Sequence, residues 1–177
     1  MIARTVRESA WLSHGFRLLG AEAFGHAGVD KRIDVLATAL HGKLTLDDLA
    51  ELDLVYAPPF SSANDPINLA AFVGVNDATG FSPLVTAAQV KAEVARGARL
   101  LDVRTAREFD ARHLEGALHV PVDELRWRLP EVPKDARLLV YCRSGFRGHL
   151  AVRTLLANGF TNVANVTGGW VSLALER

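Results

Sequence analysis

The sequence predicts an α/β protein, with a largely parallel sheet flanked by helices over residues 84–177 and a smaller α+β segment over 15–75. Three observations carry this. From Thr86 onward, short apolar runs of strand length alternate with stretches of helical periodicity, the signature of strands joined by helical crossovers. One such run, Arg137-Leu-Leu-Val-Tyr141, leads into Cys142, and Gly148 to Asn158 follows with Leu150, Ala151, Leu155 and Leu156 at helical spacing. Before residue 76 the pattern differs: one amphipathic helix, then short stretches broken by proline and glycine.

Taken in order, Met1 to His14 has scattered apolar residues and reads as a lead-in. Phe16 to Phe24, between Gly15 and Gly25, reads as a strand. Asp30 to His41 places Ile33, Leu36, Ala37 and Leu40 on one helical face, and Gly42 stops it. Thr45-Leu-Asp-Asp48 pairs an N-cap with a first-turn acid and opens a short helix to about Leu52. Tyr56-Ala-Pro-Pro-Phe-Ser61 cannot be helical, because its prolines fix φ and remove donors. Asn64-Asp-Pro66 starts a third helix, through Leu69, Ala70, Phe72 and Val73 to about Val75. Asn76-Asp-Ala-Thr-Gly80 opens a linker over 76–83.

In the second segment, Thr86 with Gln89 caps a helix that ends at Gly97, and Ala98 to Val103 is a strand. Thr105 with Glu108 caps the next helix. Leu118 to Val120 is a short strand, and Asp123 caps a helix through Leu129. Asp135 marks a turn before the strand that delivers Cys142, and Asn162 to Val166 is the last strand. Active loops in such folds gather at the C-terminal strand ends, where Cys142 falls.

Composition narrows the function. Twenty basic residues balance twenty acidic ones, so no overall field favours nucleic acid or an anionic membrane. The apolar share of 49 % suits a chain that buries a core, and no apolar run reaches membrane-span length. Arg4, Arg7 and Glu8 have no apolar stretch behind them, so no secretory signal is expected. The single cysteine excludes an internal disulfide framework, and the expected setting is a reducing cytoplasm. One cysteine and dispersed histidines give no metal-ligand spacing, so no metal is expected.

The chemistry gathers on Cys142-Arg143-Ser144-Gly145-Phe146-Arg147. This loop lies between a strand and the first turn of a helix, where unpaired amides and the helix dipole stabilise an anion. Two arginines close by add to this, and both effects favour the reactive thiolate. Gly145 permits positive φ, which lets successive amides form an anion-binding nest.

Cys-Arg-Ser-Gly-x-Arg in this setting resembles the active-site loop of the rhodanese (sulfurtransferase) family. The supporting pattern spans about residues 84–176. Leu100-Leu101-Asp102-Val103-Arg104 with Glu108-Phe109 is similar to that family's second strand and following helix. His113-Leu-Glu-Gly116-Ala117 with Val120-Pro121 resembles its Gly-His-Ile-x-Gly-Ala stretch, with Arg112 where glycine is usual, and Gly168-Gly169-Trp170 resembles its closing motif. The resemblance implies sulfur transfer through a Cys142 persulfide, from thiosulfate or a persulfide donor to a thiol or cyanide acceptor. Amides from Arg143 to Gly148 would hold the persulfide anion. Arg143 and Arg147 would attract the donor, with Arg147 also folding back to support the loop. Ser144 either donates to the sulfur or turns the chain, and Phe146 walls the site. Asp102, Arg104, His113 and His119 are expected to be structural, with Asp102 capping the next turn and Arg104 pairing with Glu108. Cysteine phosphatase loops set their arginine one residue further from the cysteine, so the spacing here favours sulfane sulfur over phosphate.

The first segment carries a second resemblance. Gly28-Val-Asp-Lys-Arg-Ile33, Leu44-Thr-Leu-Asp-Asp-Leu49, Tyr56-Ala-Pro-Pro-Phe-Ser-Ser62 and Asp65-Pro-Ile-Asn68 look like the C-terminal dimerisation domain of flavin disulfide reductases, the coenzyme A-disulfide reductase branch above all. It is incomplete, lacking that domain's first strands. The resemblance implies a homodimer or a flavin disulfide reductase partner, with Tyr56 at the position that reaches a partner's active site. No Gly-x-Gly-x-x-Gly occurs, so neither FAD nor NAD is an expected cofactor of this chain.

Overall fold

The structure is a computed structural model that describes residues 16–59 and 62–176. The expected lead-in over 1–14, and Phe60 and Ser61 of the proline-rich stretch, lie outside the described residues. The chain divides into two compact units between Thr79 and Gly80.

Among the described residues, the first unit holds three helices, α1 (Val29–His41), α2 (Leu46–Glu51) and α3 (Pro66–Ala78). Local sequence sets their starts. The Thr45 hydroxyl accepts from the Asp48 amide while the Asp48 carboxylate accepts from the Thr45 amide at 2.7 Å. Asp65 and Asn68 close a second capping box at α3, with Pro66 in its first turn. Asn68 Nδ2 also donates to the carbonyls of Leu49 and Leu52, filling acceptors left open at the end of α2. Arg32 binds Asp65 through two nitrogens, at 3.1 and 3.0 Å, tying α1 to the cap of α3. Leu18, Leu36, Ala39, Leu46, Leu49, Ile67 and Ala71 form the core. The buried face of α1 is therefore Leu36 and Ala39, while Ala37 faces solvent.

Two expectations are corrected here. Phe16 to Phe24 is not a strand: only Arg17 pairs, antiparallel to Thr45, and the chain beyond it is irregular. Leu18 N and Leu46 N bond to Leu44 O and Phe16 O around that bridge, and no further backbone aligns to extend it. Likewise, the polar run after Val75 does not end the helix. Asn76 and Asp77 continue α3 to Ala78, and the turn comes at Thr79 and Gly80, the latter with φ +71°.

The second unit is an open, all-parallel five-stranded sheet flanked by helices. Its elements run β1 (Leu84–Val85), α4 (Ala87–Ala95), β2 (Arg99–Asp102), α5 (Ala106–Ala111), β3 (Leu118–His119), α6 (Leu125–Arg128), β4 (Leu138–Tyr141), α7 (Phe146–Ala157), β5 (Val163–Val166) and α8 (Gly169–Leu173). The order across the sheet is β1-β5-β4-β2-β3, so β4 is central. Side chains of successive strand residues point to opposite faces. Leu138 and Val140 therefore join one apolar cluster with Leu101, Ala151, Val152 and Leu155, and Leu139 and Tyr141 join another with Val90, Ala98, Val166 and Leu173. Cover on both faces explains why β4 and β5 are buried throughout.

Three local readings change in this unit. The two residues of β1 are too few to show a period and were not expected as a strand. Asp123 does not cap a helix: residues 122–124 are turns, α6 begins at Leu125 without a side-chain cap, and a 3-10 turn occupies Leu129–Glu131. The helix after Cys142 starts at Phe146 rather than Gly148, so Phe146 and Arg147 form its first turn.

Candidate active site

Cys142 follows the last residue of β4, at the C-terminal end of the central strand, and is 1 % exposed. Its side chain continues the cluster of Leu138 and Val140, on the face covered by α7. The chain turns through Arg143 and Ser144 to Gly145, which adopts φ +122°, a region that side chains disfavour. That conformation aims the Gly145 amide at Cys142 Sγ, 3.1 Å away. The Gly145 carbonyl in turn accepts from His149 N at 2.9 Å and from Asn165 Nδ2 at 3.1 Å. The sulfur thus sits against a fixed amide donor at a helix N-terminus, a setting for a negatively charged sulfur.

The loop arginines have separate fates. Arg147 turns its fork onto Glu108 of α5, Nη1 to Oε2 at 2.7 Å and Nη2 to Oε1 at 2.8 Å. The expectation that Arg147 folds back onto the structure is met by this pair. The expected partner of Arg104 is corrected: Glu108 belongs to Arg147, and Arg104 binds Asp102. Hydrogen bonding to Arg147, against a smaller effect of burial, holds the Glu108 carboxyl at about 2, and the same bond raises Arg147. Glu108 also accepts from Thr105 N and Oγ1, so it is fixed as the capping residue of α5. Arg143 is exposed, and its guanidinium has no bond to another described residue. Ser144 is exposed, and its side chain has no bond to another described residue. Phe146, the first residue of α7, is 72 % exposed. Gly148 is buried where a Cβ would collide with Asn165 Oδ1, so its missing side chain lets α7 approach β5.

Beneath the loop lies a buried ionic cluster. Asp102 accepts from Arg104 N at 3.0 Å, capping the turn as expected, and from Arg104 Nε at 2.9 Å and Nη2 at 2.6 Å. The Arg104 guanidinium lies 4.5 Å from the centre of the Trp170 ring. Burial opposes the Arg104 charge, but Asp102 outweighs it and the group is raised. Burial also pushes the Tyr141 phenol up, and its oxygen accepts from Leu114 N. His113 and His119 both stack on Phe109, with ring nitrogens at the Phe109 and Arg104 carbonyls. These are structural engagements.

One support of the loop was not singled out in the sequence, and another was singled out only as a motif. Asn165 sits in the otherwise apolar run of β5. Its one legible signal is a polar residue between buried neighbours. The other is α8, whose amides at Trp170 and Val171 donate to the carbonyls of Cys142 at 2.7 Å and Arg143 at 3.1 Å. Gly168 and Gly169 both have positive φ, and a Cβ on Gly169 would strike the Cys142 carbonyl. The closing motif is therefore a clamp on the backbone of the loop.

Tyr56 lies in the first unit, half exposed, and its hydroxyl has no partner among the described residues. The described residues contain no group of three or more histidine, cysteine or acidic side chains placed to hold a metal, and no helix long and apolar enough to cross a membrane.

Comparison with known proteins fits this geometry. The solved chain of reduced Bacillus anthracis CoADR-RHD is 42 % identical with a TM-score of 0.78, covering 83 % of this chain and 26 % of that one. A NAD-dependent persulfide reductase from A. fulgidus is 40 % identical with a TM-score of 0.71, covering 82 % and 26 %. Among curated relatives, a sulfurtransferase of Allochromatium vinosum is 36 % identical over 75 residues, 42 % of this chain and 70 % of its own length. The coenzyme A disulfide reductase of Staphylococcus haemolyticus is 49 % identical over 55 residues, 31 % of this chain and 12 % of its own length. The chain thus spans a small part of the reductases, and 60 % of an uncharacterized Bacillus subtilis protein that it also matches. The rhodanese-like domain model matches residues 86–176, which include every element of the loop, its clamp and its buried support; over that half the chain belongs to the rhodanese-like family.

Proposed function

We propose that this protein is a sulfurtransferase in which Cys142 carries sulfane sulfur as a persulfide. The carrying observation is the Gly145 amide 3.1 Å from Cys142 Sγ, at the start of α7. The Cys142 thiolate attacks the outer sulfur of the donor, a new S–S bond forms, and the donor's old S–S bond breaks. From thiosulfate the leaving group is sulfite; from a hydropersulfide it is a thiolate. An acceptor thiolate or cyanide then takes the outer sulfur, returning the Cys142 thiolate. The amide and the helix N-terminus stabilise the anionic sulfur throughout. Arg143, exposed and without a bonded partner among the described residues, is the loop cation that meets an anionic donor. No flavin or nicotinamide enters these steps.

Thiosulfate-to-cyanide transfer, run on the purified chain and on Cys142→Ser, tests this. Turnover in the first and none in the second is expected. Equal turnover in both, or efficient hydrolysis of aryl phosphates by the intact chain, would contradict it.

A second reading, a relay module for a flavin-dependent reductase, is favoured by one observation. The two reductase structures match more of this chain than residues 86–176 can supply, so the likeness reaches into the first unit. In this reading residues 15–75 dimerise or dock on the reductase, and Tyr56 faces the partner. A monomer at micromolar concentration in sedimentation, unchanged by a flavin disulfide reductase, would remove it.

A further inference from the structure

A cysteine site that takes sulfur from an anion should present cations to it, and the loop supplies two arginines. Only one is free to do so. Arg147 stands two residues after Gly145, whose amide touches the sulfur, yet both terminal nitrogens of its fork are bound to the Glu108 carboxylate. A bidentate pair is the strongest use of a guanidinium, and it is geometrically exclusive. Glu108 does not swing away readily, because Thr105 N and Oγ1 hold its Oε2 in the cap of α5. The pair is electrically neutral. Among the loop side chains, Arg143 then remains as the charge offered to a donor.

We infer that Glu108 sets the donor class: by holding Arg147 it withholds the second loop cation from Cys142 and turns the site toward a donor with at most one negative charge, an alkyl hydropersulfide, over the thiosulfate dianion. This rests on the reading of Cys142 as a sulfur carrier and goes beyond it by naming the donor and a residue that selects it. Glu108 is a positioning residue, acting through Arg147. Arg147 stands in the first turn of α7, at whose N-terminus the Gly145 amide meets Cys142 Sγ, so releasing it changes the field at the sulfur. With the hydropersulfide, the Cys142 thiolate bonds to the terminal sulfur, the S–S bond of the donor breaks with its electrons, and an alkyl thiolate leaves. The terminal hydrogen stays on the transferred sulfur. With thiosulfate the same attack must bring a dianion to the site and release sulfite, again a dianion, where a single free guanidinium opposes the charge.

The test is a comparison of two donors with cyanide as acceptor: thiosulfate, and N-acetylcysteamine hydropersulfide. In the wild-type chain the KM for thiosulfate should exceed that for the hydropersulfide by about tenfold or more. In Glu108→Gln the amide oxygen can still accept from Thr105, so the cap survives, while the carboxylate that binds Arg147 is gone. The ratio of kcat/KM for thiosulfate to that for the hydropersulfide should then rise about tenfold, mainly through KM, and should fall more steeply with added salt. Adding Arg147→Gln should erase that gain, because Glu108 acts through this arginine. A purely structural role for Glu108 would lower both donors together and leave the ratio unmoved, and that overturns the inference. So does a wild-type preference for thiosulfate, a result that needs no folded variant, or a gain that persists in the double variant. Absence of turnover with either donor in the wild-type chain instead overturns the sulfur-carrier reading beneath it.

Discussion

In the second unit the central strand β4 carries Leu139, Val140 and Tyr141 with no exposed surface, and an apolar cluster lies on each face of the sheet. In the first unit the best-covered side chains, Ala39, Leu49, Ile67 and Ala71, form a single cluster between short helices. That unit also leaves Phe24 and Val55 largely in solvent and Leu69 and Val73 half exposed, and keeps an apolar cleft of about 290 Å³ beside Val35, Ala39 and Leu54. A unit of this size buries a smaller share of its surface and is correspondingly marginal. The difference teaches where rigidity is placed. The half that holds Cys142 is closed on both faces of its sheet and fixes a backbone amide against the sulfur, whereas the other half packs one small cluster between its helices.

The largest test of this contrast is a pair of core truncations. Leu101→Ala, in β2, should cost about 3 kcal/mol and lower the urea midpoint of the second unit. Leu49→Ala should unfold the first unit at lower denaturant while amide exchange in β4 stays protected. Equal loss of protection in both units would break the comparison.

Next comes Gly169→Ala. Its Cβ has no room against the Cys142 carbonyl, and the residue has φ +53°. Alkylation and sulfur transfer at Cys142 should fall by about a hundredfold or more if about 3 kcal/mol of loop geometry is lost, with the first unit unaffected. Normal activity in this variant would show that the clamp is dispensable.

A smaller effect is expected from Asn165→Ala, which removes one hydrogen bond to Gly145 worth about 1 kcal/mol. Cys142 alkylation should slow severalfold with little change in thermal midpoint, and a pure stability change would argue that Asn165 only fills space.

The smallest is pH dependence. The folded Glu108 carboxyl is depressed to about 2 from the ordinary value of 4.5. Its contribution is therefore complete above about pH 4.5 and is lost as the pH falls toward 2. The pair is partly exposed, so the amount is about 1 kcal/mol. The acid limb of second-unit unfolding should be shallower in Glu108→Gln by that amount, and an identical limb would remove the ion pair's stabilising role.

Much of this was legible in the chain. Capping boxes at Thr45, Thr86 and Thr105, Pro66 at the start of α3, and the apolar runs at β2, β4 and β5 are local signals, and local hydrogen bonding executes them. The Cys142 loop announced itself for the same reason. What was missed depends on distant partners. Phe16 to Phe24 looks like a strand, but strands need a neighbour, and only Arg17 finds one. The Glu108–Arg147 pair spans 39 positions, whereas Arg104 lies only four residues from Glu108 and is the partner that local spacing suggests. Asn165 was hidden in an apolar run, where its amide becomes meaningful only once β5 lies beside Gly145.

The most direct measurement is the intact mass of the purified chain after brief exposure to a sulfane-sulfur donor, repeated after cyanide. The account predicts a gain of one sulfur atom at Cys142, removed by cyanide with return of the thiol, and no gain in Cys142→Ser. A Cys142 that alkylates readily but never acquires sulfur from either thiosulfate or a hydropersulfide would contradict it.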